Sequence, residues 1–170
     1  MEFFNTAFVF LAPILIVLSF ILKENYKNIV INSLAIVNVL LIINSFNIVK
    51  ILYGYYQLAT IMGIEINLNK FSLGWLEIRI ILVVVIPFFF LLKKISAEKL
   101  LSIAMVFLLL FDVLTKFINP KVSEVSFSVI TFTTDHLHLQ LINYISWFVT
   151  VYALFGLIGK LPAQNKKIKI

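Results

Sequence analysis

The side chains best suited to chemistry are a few ionisable groups set in a very apolar chain. In LLLFDVLTKFINP, residues 108–120, Asp112 and Lys116 stand four positions apart, on one face of a helix. In SLGWLEIRIILVVV, residues 72–85, Glu77 and Arg79 precede a long run of aliphatic residues. A carboxylate in such surroundings relays a proton or cation, acts as a catalytic acid or base, or is held by an opposite charge. A third group is TTDHLHLQ, residues 133–140, where Asp135 adjoins His136 and His138. On an extended strand positions i and i+2 share a face, so His136 and His138 are the candidate ligands for a metal ion. No third protein ligand is evident and the chain has no cysteine, so neither a metal nor a cofactor is expected.

The elements that carry these groups follow from composition. The 170 residues are 62% apolar and 13% charged, where a soluble domain carries about 25% charged residues. Five stretches approach the roughly 20 apolar residues needed to cross a bilayer: about 3–22, 29–51, 73–93, 99–118 and 139–159. The expected fold is an all-α integral membrane protein, a single bundle of about five transmembrane helices over 1–160. A basic tail, 161–170, is expected to follow. The first run lacks a basic leader, carrying Glu2 instead, and is too long for a signal-peptide core, so it reads as a retained span.

Charge placement sets the expected orientation. Lys23, Lys27, Lys93, Lys94, Lys99, Lys160, Lys166, Lys167 and Lys169 would share one side with only Glu24 and Glu98. The other side would hold Lys50, Lys70, Arg79, Lys116 and Lys121 against Glu2, Glu65, Glu77, Asp112, Glu124 and Asp135. The lysine-rich side is cytoplasmic by the positive-inside rule, which gives an outer N-terminus and a cytoplasmic C-terminus in the inner membrane. The basic excess is explained by topology, so no nucleic-acid partner is expected. Abundant Ile, Asn and Lys point to an AT-rich bacterial coding sequence.

The third and fourth spans form a hairpin whose turn is centred between Ile95 and Ser96. Arg79 and Asp112 are equidistant from that midpoint, about 25 Å away at ~1.5 Å per residue. They should therefore lie level, and Glu77, Arg79, Asp112 and Lys116 together form a neutral intramembrane ion-pair network. The structural role is the preferred reading over a relay, because the inner half of the bundle offers no acid, histidine or arginine to continue one.

Two further spans carry polar stripes. Asn38, Asn44 and Asn47 give the second a polar face, with Asn32 further back; amides at that depth must face protein. Asn143, Ser146, Thr150, Ala153 and Gly156 recur at spacings of three and four along the fifth, a face suited to close helix packing. Tyr53, Tyr55, Tyr56 and Trp75 fit an aromatic belt around the first outer loop. Within the outer loops IEINLNKF, 64–71, and EVSFSV, 124–129, alternate with period two, so short β-like segments are expected there.

The scarcity of reactive groups makes a non-catalytic accessory subunit of a cytoplasmic-membrane complex the leading expectation, with the lipid bilayer and other membrane subunits as partners. A small transporter or ion-conducting protein using Asp112 and the asparagines of span 2 is the alternative. A membrane-embedded enzyme with its site on the outer side comes third, since no nucleophile–base pair joins the candidates.

Overall fold

The computed structural model describes residues 3–63, 74–118 and 137–163, leaving aside the side chains of residues 25, 76 and 112–118. Among the described residues the chain forms five helices and no strand: α1 (Phe3–Ile21), α2 (Glu24–Ile61), α3 (Trp75–Phe89), α4 (Lys99–Ile118) and α5 (Leu137–Leu157). Helices α1, α2 and α5 are long and apolar enough to cross a membrane.

Helix α2 is the mast of the bundle. From Leu34 to Ile42 every residue is buried, which is the signature of a helix enclosed on all sides. Helix α1 folds back on its first half through a connection of only Leu22 and Lys23. It buries one stripe, Phe4, Phe8, Ala12, Ile16 and Ser19, at spacings of three and four. Ser19 satisfies its hydroxyl within its own helix by donating to Ile16 O at 2.6 Å. Helix α3 meets the second half of α2, where the Phe46 and Phe88 rings touch edge to face at 5.6 Å. Met105 and Leu109 of α4 join the same core as Phe8, Leu34 and Val83.

Three boundaries differ from the sequence expectation, the first being the start of α2, at Glu24 rather than near residue 29. Helix α2 does not stop near residue 51; it runs 38 residues, to Ile61. The segment read as the start of an outer loop is helical, so Tyr53, Tyr55, Tyr56 and Lys50 all stand exposed on the helix. Gly54 is accommodated there because a glycine inside a helix costs only about 1 kcal/mol. The helix ends where Gly63 takes φ +69°, in the left-handed region that glycine enters without a Cβ penalty. At about 57 Å, α2 exceeds even the ~40–45 Å of a bilayer with its headgroups.

Helix α3 is correspondingly shorter than the apolar run that encodes it. It has 15 residues and ends at Phe89, two beyond Pro87. Pro87 lacks the N–H that would bond to the carbonyl of Val83, which weakens the last turn of the helix. Phe90, Leu91 and Leu92 then donate to carbonyls three residues back, tightening the chain into successive turns. At about 22 Å, α3 falls short of the ~30 Å hydrocarbon core. The two period-two segments, 64–71 and 124–129, lie outside the described residues.

Candidate functional site

Arg79 is 2% exposed, the largest fully buried side chain among the described residues. Its guanidinium carbon lies 5.5 Å from the centre of the Phe111 ring, a cation–π distance. Trp75, one helical turn earlier, packs on the same ring at 5.7 Å. Phe111 adjoins Asp112 in sequence, so α3 and α4 meet near these positions. The side chains of Asp112 and Lys116 lie outside the described residues, although both positions fall on α4. Glu77 turns elsewhere. A Cβ on Gly74 would come within 2.6 Å of Glu77 Oε2, so the carboxylate folds back over the start of α3. That is the third-residue position from which an acidic side chain reaches the helix entrance and meets its positive dipole end.

A second polar centre gathers around Asn38, whose partners were not legible in the sequence. Asn38, fully buried, donates from Nδ2 to Ser96 O at 2.7 Å and lies 2.9 Å from Ser102 Oγ. Ser102 Oγ stands 3.1 Å from Asn38 Oδ1 and 2.8 Å from Glu98 O, so its single proton serves one of these acceptors. Ser96 Oγ donates to Lys93 O at 3.1 Å. Asn38 thus fastens the α3–α4 turn to the middle of α2. Asn44 is buried beside the same core and Asn47 half-buried, while Asn32 Oδ1 accepts from Ala163 N at 3.1 Å. Two of the asparagines, 32 and 38, therefore tie distant segments to α2.

The end of α5 is built by its glycine. Gly159 takes φ +69°, and Lys160 N donates to Phe155 O at 2.9 Å while Gly159 N donates to Gly156 O at 3.2 Å. This is the pair of bonds that closes a helix on a left-handed residue. Lys93 Nζ donates to Gly159 O at 2.6 Å, joining the α3–α4 turn to the end of α5.

The small and polar stripe of α5 is turned outward. Asn143, Ser146, Thr150 and Ala153 are exposed and only Gly156 is half-buried, with Leu161 Cδ1 3.7 Å from where its Cβ would stand. Ser146 and Thr150 satisfy their hydroxyls on the carbonyls four residues back, at 2.9 and 2.8 Å. With Trp147 they line a shallow recess of about 160 Å³. Contact with the rest of the chain falls to the opposite face, where Tyr144 packs against Phe3 and Phe4, and Phe148, Val151, Tyr152 and Phe155 join the core clusters. Among the described residues the predicted packing face, Gly156 apart, takes no part in the buried core.

His138 lies exposed in the first turn of α5, and Asp135 and His136 lie outside the described residues. Because position 138 is helical, the strand geometry that would aim two imidazoles at one ion does not extend to it. Among the described residues no three His, Asp, Glu or Cys side chains are grouped to hold a metal. No protein-family model, curated protein or solved structure matches this chain.

Proposed function

We propose that the chain is a non-catalytic subunit of a multi-protein assembly in the cytoplasmic membrane, docking a partner's transmembrane helix along the outward stripe of α5. The observation that carries this reading is the exposure of Asn143, Ser146, Thr150 and Ala153 on one face. In lipid, helix association is driven by close packing and interhelical hydrogen bonds, and small or hydroxyl side chains are what such an interface uses. All five helices are taken as membrane-embedded, with α3 reaching only part of the way, the N-terminus outside and the lysine-rich turns inside. The hydrogen bonds that occupy Asn38 favour this reading over a conducting path, which would need that amide available to a passing ion.

Purification in a mild detergent should bring down a stoichiometric membrane partner. Replacing Ser146, Thr150 and Ala153 together by leucine should release it while leaving the chain helical and monodisperse. Recovery of the chain alone, with no partner lost on substitution, would overturn the proposal.

A further inference from the structure

The basic groups attributed to the cytoplasmic side are not in one tier. Lys23 and Lys27 stand at the α1–α2 turn, whereas the α3–α4 turn meets α2 at Asn38. Asn38 is fourteen residues beyond Glu24, about 21 Å along the axis of α2. The end of α5 is set back with it, since Lys93 bonds Gly159 O and Ala163 N bonds Asn32 Oδ1. Beside the projecting α1–α2 turn there is thus a recessed ledge that carries Lys93, Lys94 and Lys160, with Glu98 the one carboxylate of the α3–α4 turn. Lys94 and Lys160 are exposed, each one residue beyond the Lys93–Gly159 contact in its own segment. Lys99 carries its ammonium to within 3.6 Å of the Phe20 ring centre, near the end of α1, as a long side chain does when it extends toward the membrane surface.

We infer that this ledge binds the phosphate of an anionic phospholipid headgroup. Two independent features point there. Helix α3 is too short for a full hydrocarbon core, so the bilayer beside it must thin or draw its headgroups inward. The ledge places lysines where the displaced headgroups would arrive, and basic pockets between helices on the cytoplasmic side take such lipids. The inference does not depend on the proposed accessory role.

The full chain, purified and stripped of lipid in a neutral detergent, would be titrated with phosphatidylglycerol or phosphatidylcholine in mixed micelles and bound lipid counted by native mass spectrometry. Phosphatidylglycerol should bind in preference, and Lys94→Gln and Lys160→Gln should each weaken it about fivefold. Lys94→Arg and Lys160→Arg should retain binding, and Lys50→Gln, on the distant half of α2, should leave it unchanged. Both ledge positions are exposed, so the variants should keep the parent's circular dichroism. Equal retention of the two lipids, or an equal loss on Lys50→Gln, would overturn the site. Displacement of the lipid by inorganic phosphate would overturn the lipid assignment and show a site for a small anion.

Discussion

The guanidinium of Arg79 lies 5.5 Å from the Phe111 ring centre, joining α3 to α4 at one height in the bundle. A buried arginine is stabilised there by a π face, and Asp112 is the next residue along α4. Removing either the cation or the ring should therefore affect the same interaction. In a double-mutant cycle of Arg79→Ala and Phe111→Ala, read by thermal unfolding in detergent, the coupling should be about 0.5–2 kcal/mol. Additive losses would show that the ring does not stabilise the cation.

If Asp112 is the counter-ion of Arg79, reversing charge at either alone should reduce the yield of folded protein, because each change would leave a like-charged pair in an apolar setting. Reversing both should restore much of it. If the double reversal were as damaging as the worse single one, Asp112 would not be the counter-ion of Arg79.

How much of this was legible in the sequence varies from residue to residue, for physical reasons. The common height of Arg79 and the 111–112 region followed from counting residues outward from a tight turn, since helical rise is nearly constant. The end of α2 did not, because YGYYQLAT has the aromatic and glycine content of an interfacial loop, and a helix that continues through it differs only in hydrogen bonds to preceding residues. Nor did the end of α3, because the residues beyond Pro87 are as apolar as those before it. Asn38 was visible as a buried amide, yet its partners Ser96 and Ser102 were not. They lie about sixty positions away, and their approach depends on how far the second hairpin is set back along α2. For α5, periodicity placed Asn143, Ser146, Thr150 and Ala153 on one face but did not tell which way that face points.

The Asn38 centre should show a graded response. Ser102→Ala removes the hydroxyl that accepts from Asn38 Nδ2 and donates its own proton, but leaves Asn38 its bond to Ser96 O, so a loss of about 0.6–1.7 kcal/mol is expected. Asn38→Leu strips the Ser96 carbonyl of that donor and forces a branched side chain into its place, so the loss should be larger, about 1–3 kcal/mol. Unfolding of each variant in detergent checks the order, and an equal effect of the two would show that Ser102 is the principal partner.

The outward hydroxyls of α5 should behave differently. Ser146 and Thr150 bond only within their own helix, and both are exposed. Ser146→Ala and Thr150→Ala should each change the stability of the isolated chain by no more than about 0.5 kcal/mol. A large loss in the isolated chain would place these groups in its core and remove the ground for a partner there.

Because the chain has no cysteine, topology can be read with single cysteines and no background. The 2.6 Å contact between Lys93 Nζ and Gly159 O fixes the α3–α4 turn beside the end of α5. Cysteines at Lys94 and Lys160, both exposed, should therefore react with a membrane-impermeant reagent from the same side. Met62, at the far end of α2 and 38 residues from Glu24, should be reached only from the other side. In right-side-out vesicles the expected pattern is labelling at 62 with protection at 94 and 160, inverted in inside-out vesicles. Labelling at 94 and 160 from opposite sides would break the link between the lysine-rich turns and, with it, the assignment of a cytoplasmic face.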